Sequence, residues 1–413
     1  MLYRSAREIA AALLITISTI ISAACVHDPV DAANLAVGRL PGFAVADSKA
    51  NSTQAFESYR SLVDQWLEVR SMPHRTSEAR KLNLPFELKA NPDVPYRGRY
   101  LLFHGLNDST YVWQPLAAEL SHRGFDVRAI LFDGHGSTPE DMLHVRWEWW
   151  LETAREHFAL WNEDDIPMFI GGFSMGAVIA TWLALDNPSV AGLLLVSPAF
   201  ESRLNHYLRW SGIYARFKPW VFGGMIREDN PIKYNSIPVN SGWQYFQLTR
   251  GLKRRWRWQD RLEMPTFMVL TEDDSVVSTK YTKTLFRKRF ISDDSRLLSY
   301  SAEPARFTSG VSEQSDERMV FRSSYFPDRR LLNQSHLGLM YPPDDPLFGE
   351  RGRVLVCNGN EYPVFSACMR STSHWYGAQH TPSPDGVPVA RTTYNADWSA
   401  MLELMDSVLL GTH

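Results

Sequence analysis

From residue 100 onward, short runs rich in β-branched, aromatic and aliphatic residues alternate with amphipathic segments, and this alternation constrains the fold more than any other feature. The strand-like runs are 100–104, 127–132, 168–172, 193–196 and 267–270. Between and after them lie helical stripes: Trp147, Trp150, Leu151, Ala154, Phe158 and Trp161 in one, and Trp398, Met401, Leu402, Met405 and Leu409 in another. Apolar residues at spacings of three and four line one face of a helix, and strands separated by such helices run parallel in one sheet with helices on both faces. A further stripe, Phe56, Tyr59, Leu62, Val63, Trp66 and Leu67, predicts a leading helix. The expected class is therefore α/β, with a mostly parallel central sheet.

The 413 residues supply material for one large core and an inserted subdomain. Forty-three Lys and Arg against 46 Asp and Glu give no net basic field, which argues against nucleic acid as a partner. At the N-terminus, Arg4 and Arg7 precede an apolar run over 9–21 and the small residues Ser22, Ala23 and Ala24 before Cys25. That layout predicts a signal peptide over 1–25, and the run is short for a membrane span. Ser22-Ala23-Ala24-Cys25 resembles the processing box of bacterial lipoproteins, with Ser22 standing where Leu is usual; it implies lipidation of Cys25 and export to the bacterial cell envelope, either periplasmic or membrane-anchored. Plain cleavage and an uncleaved anchor are the alternatives. Residues 26–50 read as a tether. The α/β core then divides into 51–200 and 264–413, around a cap insertion at 201–263 where the alternation stops. A second interruption, polar and aperiodic, spans 303–318.

Within the core, Gly172-Phe173-Ser174-Met175-Gly176 falls between a strand-like and a helix-like segment. A sharp strand-to-helix turn raises a nucleophile above the sheet, and glycines two residues to either side permit the close backbone approach. A hydroxyl is a weak nucleophile, so Ser174 requires a His base, and the His requires a carboxylate to fix its tautomer. Asp274, just past the 267–270 run, is the expected acid, with Asp273 as its rival. Among the twelve histidines, His336 lies in a loop downstream of the acid, and the following Gly338 and apolar residues suit a loop folding back over the site. His374 and His380 also qualify by order. The N–H groups of Leu106, after His104-Gly105, and of Met175 are the expected oxyanion donors.

These motifs give the chain an explicit resemblance. His104–Ser109, Asp133–Ser137, Gly172–Gly176, Thr271–Val277 and Ser335–Leu339 resemble, in order, motifs of the serine α/β-hydrolase superfamily, in its branch of monoacylglycerol lipases and lysophospholipases. The resemblance spans about residues 97–410. It implies an α/β-hydrolase fold with an inserted, mainly helical cap, and a triad of Ser174, Asp274 and His336 with Leu106 and Met175 as oxyanion donors. It also implies a serine esterase or lipase acting on a small-molecule or lipid ester without a cofactor or metal. A peptidase or amidase with the same triad, and a non-catalytic lipid-binding surface protein, are the alternatives.

Two further features bear on location. Cys357 and Cys368 are an even pair that an oxidising compartment would bridge, the alternative being two buried thiols. The run Lys253-Arg254-Arg255-Trp256-Arg257-Trp258, with Trp210, Trp220 and Trp243 nearby, suits either a membrane interface or a basic helix whose indoles pack on the domain below.

Overall fold

The computed structural model describes residues 39–40, 52–70, 76–163, 165–221, 230–234, 236–256, 260–303, 316–357 and 364–410. Eight strands form the main sheet: β1 Phe86–Leu88, β2 Gly98–Phe103, β3 Phe125–Ile130, β4 Met168–Phe173, β5 Gly192–Val196, β6 Thr266–Thr271, β7 Arg296–Ser301 and β8 Met319–Ser323. Their order is β1-β3-β2-β4-β5-β6-β7-β8, with β1 antiparallel to β3 and every later pairing parallel. The five strand-like runs read from sequence are β2 to β6. Strands β1, β7 and β8 are additions. β7 interleaves Arg296, Ser299 and Ser301 with its apolar residues, and β8 is a half-buried edge strand, so neither shows a continuous apolar run.

Alternate residues of each strand feed the two faces of the sheet. Leu101 and Phe103 of β2 join a core with α1 Ser52–Arg70, α4 Trp147–Trp161 and α5 Met175–Asp186. Tyr100 and Leu102 join the opposite core with α3 Gln114–His122 and α10 Trp398–Leu409. The aromatic stripe of α4 is packing: Trp150 and Trp161 are fully buried, and the Trp150 indole N–H donates to the Asp133 carbonyl at 3.0 Å. The short helix α2, Ser77–Lys81, precedes β1 and is capped by the Thr76 hydroxyl.

Between β5 and β6 the chain forms α6 Asn205–Tyr214 and α7 Val239–Arg255, which pack on each other. Helix α7 rests on the core through Tyr245, Leu248, Leu252 and the following Trp256, and the Tyr245 hydroxyl donates to the Ala199 carbonyl at 2.7 Å. Trp256 is only 3% exposed and meets Phe200 edge-on, while Arg255 pairs with Asp186 and Asp260. Lys253 pairs with Glu201. Of the described part of the 253–258 run, Lys253, Arg255 and Trp256 are thus paired or packed on the domain, while Arg254 is exposed; Arg257 and Trp258 lie outside the described residues.

Residues 39–40 belong to the stretch read as a tether, and they are docked: Leu40 is buried and its N–H donates to Asp133 Oδ1 at 2.9 Å. The rest of 26–50, the signal-like segment 1–25 with Cys25, and residues 304–315 lie outside the described residues. Helix α8 Thr279–Arg289 joins β6 to β7. After β8, Cys357 and Cys368 are disulfide-bonded at the start of a small lobe holding α9 Val364–Arg370 and the parallel pair β9 Trp375–Gly377 and β10 Val389–Arg391. This lobe abuts the chain that carries His336: the N–H of Leu332 donates to the Tyr376 carbonyl at 2.8 Å, and that of Ala378 to Asn333 Oδ1 at 2.6 Å.

Candidate active site

Ser174 stands between β4 and α5 with φ 54° and ψ −115°, a conformation that L residues avoid and that costs on the order of 1–3 kcal/mol. The glycines flanking it explain how the turn closes. A Cβ on Gly176 would lie 2.1 Å from the Phe103 carbonyl oxygen of β2, and one on Gly172 would lie 2.4 Å from the Ala177 backbone. Only backbone fits on either side, so the elbow depends on both residues lacking a side chain. Its ends are fastened by main-chain bonds, Ser174 N–H to the Val196 carbonyl at 3.0 Å and Ala199 N–H to the Ser174 carbonyl at 3.1 Å.

Three side chains from distant parts of the sequence converge there. His336 Nε2 lies 2.9 Å from Ser174 Oγ, and His336 Nδ1 lies 2.6 Å from Asp274 Oδ2. Asp274 is fully buried, and its other oxygen accepts the N–H groups of Val276 at 2.7 Å and Val277 at 3.0 Å. Those bonds leave Oδ2 aimed at the imidazole, which fixes the proton on Nδ1 and directs the Nε2 lone pair toward Ser174. Ser174 itself remains 9% exposed.

The rivals are held elsewhere. The Asp273 backbone N–H donates to the Thr271 hydroxyl oxygen, and burial raises its carboxyl above the usual value. His374 bonds the Cys368 carbonyl at 2.8 Å inside the disulfide lobe, and His380 is exposed. The residues after His336 do not fold over the site. Leu337, Leu339, Met340 and Tyr341 turn down into the core, because an apolar run gains more from burial than from lying against solvent, and this anchors the loop from below.

Ser197, just past β5, went unnoticed in the sequence. It is fully buried with φ 45°, and its hydroxyl donates to the His336 carbonyl at 2.8 Å. The signal that could have found it is its place one residue beyond a strand's carboxyl end, where this class of sheet assembles its sites. The segment 333–336 is also pinned from the C-terminal side: Ser335 Oγ donates to the Thr392 carbonyl at 2.6 Å, and Thr392 Oγ1 to the Asn333 carbonyl at 2.7 Å.

Leu106 and Met175 sit at the end of β2 and the first turn of α5, and among the described residues neither N–H has a protein acceptor. The loop carrying Leu106 is shaped by two buried imidazoles. Phe132 N–H donates to His104 Nε2 and Asn107 N–H to His135 Nε2, both at 3.1 Å. Accepting at Nε2, each ring carries its proton on Nδ1 and donates it, His104 to the Gly105 carbonyl at 2.8 Å and His135 to the Asp133 carbonyl at 3.0 Å. Burial holds both rings neutral, pushing His135 down to about 4 and His104 lower than its usual value. Asn107 is left-handed at φ 58°, and Lys233 pairs with the buried Asp108 at 3.2 Å. No cluster of His, Cys, Asp and Glu suited to a metal ion occurs among the described residues.

Residues 95–302 match the family Hydrolase_4, described as serine aminopeptidase, S33. The chain is 23% identical over 189 residues to a thermostable monoacylglycerol lipase of Bacillus sp. (strain H-257), covering 45% of this chain and 74% of that one. It is 23% identical over 205 residues to a carboxylesterase of Bacillus subtilis (strain 168), covering 48% of this chain and 81% of the relative. Among solved structures it is similar to the monoacylglycerol lipase of Paleococcus ferrophilus, with 18% identity, a TM-score of 0.43, and coverage of 52% of this chain and 88% of that one. The family match covers half of the sequence, from just before β2 through β7, and takes in the elbow and the Asp274 loop; the chain belongs to the Hydrolase_4 family and is a hydrolase with the α/β-hydrolase fold.

Proposed function

We propose that this hydrolase cleaves carboxylic esters through an acyl-enzyme on Ser174, with His336 as base, Asp274 as its orienting acid, and the N–H groups of Leu106 and Met175 as oxyanion donors. The observation that carries the proposal is the continuous chain from Asp274 Oδ2 through both nitrogens of His336 to Ser174 Oγ. Ser174 Oγ attacks the acyl carbon as its proton passes to His336 Nε2, and the imidazolium is held by the Asp274 carboxylate. The carbonyl oxygen becomes an oxyanion beside the two backbone donors; losing one such donor typically costs about 100- to 1,000-fold in rate. Collapse expels the alcohol, which takes the proton from His336. A water then repeats the sequence on the acyl-enzyme and frees the acid.

The ester rather than amide leaving group is favoured by relatives named as a monoacylglycerol lipase and a carboxylesterase. The family description, serine aminopeptidase, favours the second reading of an aminoacyl amide substrate, since pocket shape and not the triad selects the leaving group. Turnover of a p-nitrophenyl ester series and of monoacylglycerols, set against aminoacyl p-nitroanilides, separates them. We expect ester turnover to exceed that of any anilide by at least about 100-fold in kcat/KM, a gap of roughly 3 kcal/mol in barrier; comparable or faster anilide cleavage overturns the ester reading.

The export reading is also ours. The charged, apolar and small-residue layout of 1–25 supports delivery to the cell envelope, and the Cys357–Cys368 disulfide suits an oxidising compartment. If Cys25 becomes the lipidated N-terminus, the protein expressed in a bacterium with the lipoprotein pathway incorporates labelled palmitate, and Cys25→Ala abolishes the labelling. Wild-type protein that takes up no label rejects lipidation.

A further inference from the structure

Helix α6 leaves one face bare. Tyr207, Trp210, Ile213 and Tyr214 recur on it at spacings of three and four, with Leu204 just before the helix and Phe217 just after it, and each of the six is between 52% and 79% exposed. The opposite face is seated: Ser211 is buried, Leu208 packs against the core, and Gly212 faces the Trp243 ring of α7 so closely that a Cβ there would lie 2.5 Å from it. The helix is therefore held in register by one side while its large apolar side chains stand in water. Four such side chains on one helix face, with two more beside its ends, exceed the scattered exposure that any soluble surface shows.

The charges around this stripe say what would cover it. Between residues 202 and 221 the sequence has Arg203, Arg209, Arg216 and Lys218 and no acidic residue, and all four cations are exposed. Arg209 lies over the Trp210 ring at 5.2 Å. A second copy meeting this face about a twofold axis would bring two such sets of cations together without a counter-charge. A surface of anionic lipid headgroups supplies the charge, and its acyl boundary takes the aromatic and aliphatic side chains, the composition of a helix that lies in a membrane interface. The location suits that role. The chain entering α6 is tied to the Asp274 loop, Arg203 N–H donating to the Val276 carbonyl at 3.0 Å with a bridge between Ser202 and Val277, so the stripe belongs to the end of the sheet where the triad assembles.

We propose that the exposed face of α6 docks the enzyme on an anionic lipid surface. This deepens the ester reading by bringing a lipid-borne substrate to the triad's end of the sheet, but binding is measured apart from turnover. The test uses the full chain carrying Ser174→Ala, so that no lipid is consumed, with vesicles of phosphatidylcholine alone or mixed with phosphatidylglycerol. Binding to the mixed vesicles is expected to exceed binding to the neutral ones and to weaken as salt is raised. The triple variant Tyr207→Ser, Trp210→Ser, Phe217→Ser should lower it by about tenfold or more. Replacing Arg209, Arg216 and Lys218 with Gln should remove the preference for phosphatidylglycerol. Both sets of changes, made with Ser174 intact, should leave hydrolysis of a soluble short-chain ester unaltered, which also shows that the variants fold. Vesicle binding that survives the triple substitution overturns the proposal, because another segment such as the apolar 9–21 run then carries it. A wild-type dimer in sedimentation velocity that the triple variant dissociates, without vesicle binding, assigns the face to a second copy instead. Failure of ester turnover in the wild type would sink the ester reading and leave the vesicle result standing.

Discussion

Ser174→Ala is expected to reduce kcat for ester hydrolysis by about 10⁴- to 10⁶-fold and to abolish labelling by a fluorophosphonate probe, leaving the fold intact. In the proposed mechanism this hydroxyl is the group that becomes bonded to the acyl carbon, and it lies 2.9 Å from His336 Nε2. Asp274→Asn should fall nearly as far, by about 10⁴-fold, for a different reason. An amide in place of the carboxylate can present a donor to Nδ1, which drives the imidazole proton to Nε2 and removes the lone pair that must receive the Ser174 proton. His336→Ala combined with Ser174→Ala should cost little more than either alone, because the three groups act as one device. A Ser174→Ala protein that retains more than about a hundredth of wild-type turnover would be incompatible with this mechanism.

Acidification should destabilise the fold before it protonates most surface carboxylates. Among the described residues three imidazoles are fully buried: His104, His135 and His157, the last set edge-on to the Tyr59 ring at 4.6 Å. Burial pushes His135 down to about 4 and lowers the other two, with the neighbouring imidazole of His135 adding to the effect on His104 and the Arg128 guanidinium to that on His157. In the unfolded chain these rings bind protons near pH 6.5. Between that value and about 4 the unfolded state therefore holds more protons than the folded state, and stability is lost as pH falls through the window. His135 alone accounts for about 2–3 kcal/mol by pH 4.5. Asp133, Asp273 and Asp345, whose carboxyls burial raises, act with the opposite sign toward the acid end. Thermal midpoints measured from pH 7.5 to 4.5 should fall by more than about 5 °C, and His157→Phe should flatten part of the slope. A midpoint that stays level or rises over that range would show that the imidazoles are not held neutral. The loss of stability also bears on the proposed mechanism, since His104 and His135 shape the loop that carries Leu106, the proposed oxyanion donor.

What the sequence alone determined here is what neighbouring residues can encode. The stripe 147–161 and the stripe 398–409 specify helices because a 3.6-residue period is written in consecutive positions. The turn at Ser174 is specified because its two glycines must occupy fixed places two residues away on either side, whatever surrounds them. Order along the chain narrowed the acid to Asp273 or Asp274 and the base to three histidines, and went no further. Tertiary packing made those choices. Asp274 is aimed by the amides of its own turn, while His336, 62 residues later, is fixed by Ser197 from β5, by Thr392 from the C-terminal lobe and by an apolar run that buries itself beneath the loop. The same holds for the cap, where the Lys253–Arg255 run drew attention in the sequence yet Lys253 and Arg255 are ion-paired, and the bare apolar face lies on α6. Exposure and mutual distance are properties of what other segments cover, so a pattern of residue types can nominate a site, but only the assembled neighbours decide which side chains meet.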